Sequence, residues 1–113
     1  MQLADYHATT ENIDATTDAA LTDALVQAVD PELMVDMLNL GLVYHVRRTD
    51  NGDYEVQMLL TQIGCPLTDY LDKMVQHAIA LVAPDAQVRV QFRLTPAWTM
   101  DRMSRVARMT LGV

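Results

Sequence analysis

Alternating apolar and polar residues predict three strands, at residues 42–49, 54–61 and 87–95. Because successive side chains of a strand point to opposite faces, each alternating segment is expected to bury one face and expose the other. Asn51 and Gly52 separate the first two segments. This dipeptide favours a tight turn, so the first two strands are predicted to form a hairpin.

Apolar residues at helical spacing predict three helices. The first is capped by Asp18 or Thr17 and stops before Pro31, because the residue before a proline is pushed out of the helical region. The second opens at Pro66, since the first position of a helix tolerates a missing N–H. The third covers residues 101–111 and is expected to end at Gly112, a residue type that favours the C-terminus of a helix.

The predicted order is therefore α-β-β-α-β-α. It indicates an α/β (α+β) fold with a small mixed sheet, a hairpin, one parallel crossover and helices packed on the sheet. Residues 1–17 are rich in Thr, Asp and Ala with little apolar periodicity, and we expect them to form a flexible leader. Residues 18–113 are expected to form a single domain.

Composition narrows the possible functions. The chain has 113 residues, half of them apolar, and a formal net charge of −7. That charge disfavours binding to nucleic acid and to anionic membrane surfaces. A single cysteine forms no intramolecular disulfide, so a reducing, cytoplasmic location is expected.

Cys65 is the main candidate for chemistry, because the predicted turn places it at the N-terminus of the second helix. The free N–H groups and the helix dipole there stabilise a thiolate. The alternative is that Cys65 is a small buried apolar residue. The three histidines lie in no recognisable catalytic motif, so an enzyme with a thiol nucleophile is disfavoured. One cysteine cannot by itself fill a zinc or iron–sulfur site.

Other polar residues are weaker candidates. Asp30, Glu32 and Asp36 surround Pro31, where they either form a site or simply solvate a loop. Thr61 precedes Cys65 by four residues and is either an ordinary strand residue or a hydroxyl that faces the thiol.

Three motifs together carry a family resemblance. Residues 30–44 read DPELMVDMLNLGLVY, residues 58–67 read MLLTQIGCPL, and residues 96–112 read PAWTMDRMSRVARMTLG. In this order they resemble the SufT/PaaD-like family of metal–sulfur cluster assembly factors, over about residues 18–113. The chain ends without the cysteine-rich segment of the PaaD branch and so resembles the short, stand-alone type.

The resemblance implies a non-enzymatic accessory factor in iron–sulfur cluster assembly or delivery. It assigns the reactive cysteine to Cys65, the acidic pair to Asp30 and Glu32, and the turn threonine to Thr61. Asn39 belongs to the same cluster, metal or client site. Cys65 would then be a transient metal ligand, with no stably bound cofactor and at most transient iron or iron–sulfur cluster.

Three positions depart from the family pattern. Asn39 stands where the family usually has Asp, Asp36 where it often has Asn, and Met34 where Gly is common. An amide cannot take up a proton at neutral pH, so Asn39 cannot act as a carboxylate would.

The expected partners are iron–sulfur assembly proteins or client apo-proteins. The chain is also expected to form a homodimer, because so small a sheet leaves an exposed edge. A competing hypothesis is a binding adaptor that docks a partner near Asp30 and Glu32 or near Trp98, with Cys65 purely structural.

Overall fold

The computed structural model describes residues 2–29, 34–60 and 68–112. Four strands form one sheet: β1 Thr9–Glu11, β2 Val43–Arg48, β3 Tyr54–Leu59 and β4 Val88–Arg93. Three α-helices accompany it: α1 Ala15–Leu25, α2 Thr68–Val82 and α3 Arg105–Leu111. Two short 3₁₀ turns cover Leu3–Tyr6 and Met100–Arg102.

The sheet has the order β1-β2-β3-β4. β2 and β3 are antiparallel, and β3 and β4 are parallel and joined through α2, so the predicted hairpin and crossover are confirmed. In the hairpin loop, Gly52 has a φ of +86° and its N–H bonds to the Thr49 carbonyl at 3.0 Å. The mixed α+β fold inferred from the pattern is thus the observed one.

The core lies between one face of the sheet and the helices. As the alternation predicts, β3 buries Tyr54, Val56 and Met58, while α2 buries Leu71 and Val75 among others. α1 packs against α2, and α2 packs against β4. The described helices include none that is long and apolar enough to cross a membrane.

The end of β3 differs in detail from the alternating pattern. Strict alternation from Tyr54 along the predicted strand at residues 54–61 puts Leu60 on the core face and Leu59 on the outward face. In the structure Leu59 is 1% exposed and Leu60 is only half-buried. The strand ends at Leu59, so the alternation no longer sets the orientation of the next side chain.

The N-terminal segment also differs from the expected flexible leader. Leu3 and Tyr6 are buried in the core, and Thr9–Glu11 pairs in parallel with β2. The β1 side chains are all exposed, and Leu3 and Tyr6 lie in a single 3₁₀ turn. Such short elements leave no repeating apolar pattern in the sequence, which is why the sequence indicated a leader.

Helix α1 begins earlier than predicted. Its N-cap is Asp14, whose carboxylate accepts a hydrogen bond from the Thr17 N–H, and not Asp18 or Thr17. Asp18 is instead buried and accepts a hydrogen bond from the Leu3 N–H at 2.7 Å. The residue fastens the N-terminal turn to the helix, a contact between positions 15 apart in the chain.

The predicted third helix is divided into two parts. A 3₁₀ turn covers Met100–Arg102, and α3 starts only after Ser104, whose hydroxyl accepts a hydrogen bond from the Ala107 N–H at 3.1 Å. Gly112 ends α3 in the left-handed conformation with a φ of +73°. A serine N-cap favours a new helix start, which explains the break.

Candidate functional site

Most of the residues predicted for the site lie outside the described residues. Asp30 and Glu32 fall within residues 30–33, and Thr61 and Cys65 fall within residues 61–67. Their predicted roles, including that of Cys65 as a helix N-cap, therefore stay predictions. Asn39 lies within the described part of the chain, and the structure also gives the residues on both sides of each segment.

The segment that contains Asp30 and Glu32 is closed by backbone pairing. Val29 and Asp36 form an isolated antiparallel bridge, and the Met37 N–H donates to the Ala28 carbonyl at 3.1 Å. These contacts fix the two ends of the segment relative to each other. The end of α1 is thereby tied to the turn that follows at residues 36–41.

The segment that contains Thr61 and Cys65 lies between β3 and α2. The Leu59 N–H donates to the Leu42 carbonyl at 2.7 Å, and the Leu60 N–H donates to the Arg93 carbonyl at 3.1 Å. On the other side, α2 begins at Thr68. The chain thus passes from a strand to a helix across this segment, as the sequence predicts.

Asn39 is the centre of a hydrogen-bond network. Its Nδ2 donates to Asp36 Oδ1 at 2.6 Å, and its backbone N–H donates to Asp36 Oδ2 at 2.9 Å. Its Oδ1 accepts a hydrogen bond from Ser104 Oγ, while its backbone carbonyl accepts one from the Ser104 N–H at 2.8 Å. Asn39 therefore joins the turn at residues 36–41 to the start of α3.

Asp36 is 9% exposed, and both of its carboxylate oxygens accept hydrogen bonds from Asn39. Asp36 also affects Tyr6: burial, together with the charges of Asp36 and Asp5, raises the pKa of Tyr6 above its usual value.

Two of the three departures from the family pattern, Asp36 and Asn39, contact each other through the hydrogen bonds described above. The two positions therefore pair a carboxylate with a carboxamide.

The third departure, Met34, adopts a positive φ of 60° and its side chain is 71% exposed. An L-residue with a β-carbon rarely adopts this conformation, whereas Gly adopts it without steric cost. The local backbone therefore accounts for the preference for Gly at this position. Met34 retains the same left-handed turn at the expense of strain.

The C-terminal segment holds the turn at residues 36–41 from the other side. Arg102 donates from Nε to the Gly41 carbonyl at 2.8 Å and from Nη2 to the Val43 carbonyl at 3.1 Å. Trp98 donates from Nε1 to the Leu40 carbonyl at 2.8 Å. Trp98 also packs against the core and is partly buried.

Burial lowers the pKa of Arg102, although Tyr44 partly opposes this effect. The guanidinium lies 5.7 Å from the centroid of the Tyr44 ring and satisfies backbone carbonyls that the turn leaves free. Sequence reasoning missed both Arg102 and Ser104. Neither has a local signal for this role, since each contacts residues about sixty positions earlier.

In the described ranges, no three histidine, cysteine or acidic side chains lie close enough together to hold a metal ion. The described network is therefore a support for the turn and for α3 and is not a metal-binding cluster.

Comparison with known proteins identifies the family. Residues 18–92 match the family model described as iron-sulfur cluster assembly protein. The chain is 43% identical over 90 residues to the Fe-S protein maturation auxiliary factor YitW of Bacillus subtilis, covering 80% of this chain and 88% of that protein. It is 41% identical over 85 residues to the Fe-S protein maturation auxiliary factor SufT of Staphylococcus aureus, covering 75% and 97%.

A solved structure supports the same conclusion. The crystal structure of a domain of unknown function, DUF59, from Bacillus anthracis matches with a TM-score of 0.77 and 34% identity, covering 87% of this chain and 93% of that one. The YitW and SufT relatives are named as auxiliary factors, in agreement with the expected non-enzymatic role. The resemblance to SufT-like proteins is confirmed, and the chain belongs to the iron–sulfur cluster assembly protein family.

Proposed function

We propose that this protein is an auxiliary factor that helps to mature iron–sulfur proteins through the thiol of Cys65 and through contacts with assembly or client proteins. Family membership carries the proposal. The matched region, residues 18–92, includes both segments that hold the predicted site residues. Two relatives that are more than 40% identical to the chain are named as Fe-S protein maturation auxiliary factors.

The described backbone around the two segments supports one shared site. The bridge between Val29 and Asp36 closes the segment that contains Asp30 and Glu32. The same turn leads to Leu42, whose carbonyl accepts the hydrogen bond from the Leu59 N–H at the end of β3. Because one short stretch of backbone ties both segments, we propose that Cys65, Thr61, Asp30 and Glu32 act together.

Asn39 contributes to this site indirectly, by holding the neighbouring backbone in place. Its side-chain amide is engaged with Asp36 and Ser104, so its function is to hold the turn at residues 36–41 in place. A residue with both polar groups occupied by protein partners is poorly suited to ligate a metal directly. We therefore propose that Asn39 is a positioning residue.

A single thiol suits transient handling of a cargo. One sulfur ligand releases iron or a cluster easily, whereas stable storage of a cluster needs about four ligands. Iron, sulfide or a cluster is in this proposal the substrate, held between Cys65 and ligands of the partner. Asp30 and Glu32 supply carboxylates for a hard cation or for a basic surface of the partner.

Two further expectations belong to this proposal. The single cysteine fits a reducing, cytoplasmic compartment. A homodimer would use exposed apolar side chains of α3, Val106 and Met109, which are 66% and 73% exposed. Light scattering at micromolar concentration measures the mass directly, and a monomer contradicts the dimer.

The thiol is tested in cells that depend on this protein. Cys65→Ser is expected to be produced and folded normally while the activity of an iron–sulfur enzyme, per amount of its polypeptide, falls to the level of the deletion strain. Asp30→Asn and Glu32→Gln are also expected to lower the activity of this iron–sulfur enzyme. Asp50→Asn, an exposed acid in the hairpin loop, is the matched control and is expected to leave client activity unchanged.

Alkylation separates the thiol mechanism from the adaptor hypothesis. In the folded protein the alkylation rate of Cys65 is expected to reach its plateau below the ordinary thiol pKa of about 8.5. Slow alkylation in the native state, combined with normal client activity of Cys65→Ser, would contradict the thiol mechanism. It would support the adaptor hypothesis, in which Cys65 is purely structural.

A further inference from the structure

Charge is distributed unevenly along the chain. Residues 87–113 hold five of the eight cationic side chains and one of the fifteen acidic ones, a net charge of +4, whereas residues 1–86 carry a net charge of −11. The basic part comprises β4, the second 3₁₀ turn and α3. Two of the five cationic side chains, Arg89 and Arg93, lie on β4, where they attract a partner of opposite charge although the protein as a whole is acidic.

Strand β4 is an edge of the sheet, and within the described residues its pairing is with β3. The Tyr54 N–H donates to the Gln87 carbonyl and the Leu60 N–H to the Arg93 carbonyl, so the odd-numbered residues of β4 face β3. In a parallel ladder, alternate residues direct both backbone groups to the same side. The N–H and carbonyl groups of the even-numbered residues therefore point to the outer edge.

The side chains of β4 also divide into two sets. Arg89, Gln91 and Arg93 are exposed on the face away from the core. Val88, Val90 and Phe92 pack against the core but stay half-buried, because the sheet ends at this strand. One more strand at this edge would cover the apolar set and would bring its own outward side chains beside the arginines.

We propose that β4 is a docking edge for an extended, acidic segment of a partner protein, in which apolar and acidic side chains alternate. The apolar side chains of that segment continue the layer formed by Val90 and Phe92, and its carboxylates pair with Arg89 and Arg93. Backbone hydrogen bonds to the outer edge supply affinity, and the arginines supply selectivity.

The same arginines argue against a second copy of this chain as the occupant. Two β4 strands paired around a two-fold axis bring the arginines of one copy beside those of the other, and like charges across a strand pair are destabilising. The opposite edge, β1, has only three residues. The inference goes beyond the proposed function, since an adaptor without a reactive thiol would use this edge equally well.

The first test uses a peptide probe. A blocked nine-residue peptide of alternating glutamate and valine is titrated into the full-length, isotope-labelled protein, with a lysine–valine peptide of the same length as control. Saturable amide shifts are expected at Val88, Val90 and Phe92 with the acidic peptide, and weaker binding at higher salt. Absence of saturable shifts, shifts centred elsewhere, or equal binding of the basic peptide overturns the proposal.

Variants locate the binding to the edge. Arg89→Glu is expected to weaken binding of the acidic peptide about tenfold or more. Lys73→Glu makes the same change of charge on α2, on the helix face opposite the buried Leu71 and Val75, and is expected to leave Kd within about twofold. Equal losses in both variants, or none in Arg89→Glu, overturn the proposal.

A backbone variant tests the mode of binding independently. Val90→Pro removes an N–H that faces the outer edge without removing a hydrogen bond to β3, and edge strands tolerate proline there. Binding is expected to fall about tenfold or more while circular dichroism stays unchanged. Retained affinity in a folded Val90→Pro protein contradicts strand addition, and if this variant does not fold, Arg89→Glu alone decides.

Discussion

Asn39 holds Asp36 by two hydrogen bonds, from Nδ2 at 2.6 Å and from its backbone N–H at 2.9 Å. The pair connects the bridge at Val29 with the N-cap of α3, because Asn39 also bonds to Ser104 through its side chain and its backbone carbonyl. The turn that closes the acidic segment and the C-terminal helix are therefore mechanically linked through one carboxylate–carboxamide pair.

Exchanging the members of this pair tests the relationship. Asn39→Asp places two carboxylates in contact, and Asp36→Asn leaves an amide facing an amide, so each single variant is expected to lower the free energy of unfolding by about 1–3 kcal/mol. In the double variant Asp36→Asn with Asn39→Asp, the amide at position 36 donates to the carboxylate at position 39, so a carboxamide again faces a carboxylate. Urea unfolding of the four proteins is expected to give a favourable coupling of about 1–3 kcal/mol.

Strict additivity of the two single effects would contradict the pairing. Asp50→Asn in the hairpin loop serves as control, since its side chain is exposed, and is expected to change stability by less than about 0.5 kcal/mol. The double variant also places the carboxylate at position 39, the usual family position. Client activity of that protein shows whether the location of the charge matters.

Met34 is expected to gain stability when it is replaced by glycine. Its φ of 60° strains a residue with a β-carbon, and its side chain is 71% exposed and contributes little packing. Met34→Gly is expected to raise the free energy of unfolding by up to about 1 kcal/mol. Met109→Gly, at an exposed position inside α3, is the control and is expected to lower it by about 1 kcal/mol.

Two glycines with nearly the same positive φ are expected to respond differently to alanine. Gly41 has a φ of +74°, and a β-carbon there overlaps the backbone carbonyl of Arg102. Gly112 has a φ of +73° and no atom lies within 4 Å of such a β-carbon. Gly112→Ala is expected to cost about 1 kcal/mol, the price of the left-handed conformation alone.

Gly41→Ala is expected to cost at least about 2 kcal/mol more than Gly112→Ala, because backbone must move to admit the methyl group. Thermal and urea unfolding compare the two proteins. Equal losses would indicate that the turn and the second 3₁₀ segment separate easily, contrary to the contacts that Arg102 makes with the Gly41 and Val43 carbonyls.

Arg102 is expected to matter for stability far more than its neighbour Arg105. Arg102→Met removes the donors for the Gly41, Val43 and His7 carbonyls, at 2.8, 3.1 and 3.2 Å, and is expected to cost about 1–3 kcal/mol. Arg105→Met removes an exposed cation of α3 and is expected to change stability by less than about 0.5 kcal/mol. Similar urea midpoints for the two variants would contradict the assignment.

Stability is expected to fall at alkaline pH in part because of Tyr6. Burial and the nearby Asp36 and Asp5 raise the pKa of Tyr6 in the folded protein, whereas in the unfolded chain it titrates near 10. The unfolded chain then loses its proton first, so the stability present below pH 10 decreases as the pH rises above 10. Tyr6→Phe is expected to make this decrease shallower in urea unfolding.

Tyr70→Phe is the matched control for this measurement. Tyr70 lies in α2 with 47% of its surface exposed, so the variant removes an exposed hydroxyl and no buried one. The variant is expected to retain the alkaline slope of the wild-type protein. If stability decreases with pH at the same slope in the wild-type, Tyr6→Phe and Tyr70→Phe proteins, Tyr6 does not contribute to the decrease.

Local pattern was sufficient for the central elements of the fold. The hairpin of β2 and β3, the crossover through α2 and the glycine that ends α3 were all predicted, because each depends on residues adjacent in the chain. The N-terminal segment was not predicted correctly. Leu3 is buried through a hydrogen bond to Asp18 and through packing, and neither leaves a periodic signal.

The candidate site, like the fold, could be predicted from the sequence only in part. The motifs around Cys65 and around Asp30 and Glu32 identify the family from sequence, and comparison with known proteins confirms the family while the roles of these residues stay predictions. The support of the turn by Arg102 and Ser104 was invisible in the sequence. Each contacts a residue about sixty positions away, and no local spacing encodes such a contact.

The sequence by itself determined the period of each central strand and helix, the charge of the chain and the family, because these depend on the order of side chains along the backbone. Only the tertiary structure decided that β1 adds a fourth strand, that Asp36 and Asn39 contact each other, and that β4, with its arginines, is an edge of the sheet among the described residues. Those features arise where distant segments pack together, and packing depends on three-dimensional proximity that a linear pattern does not contain.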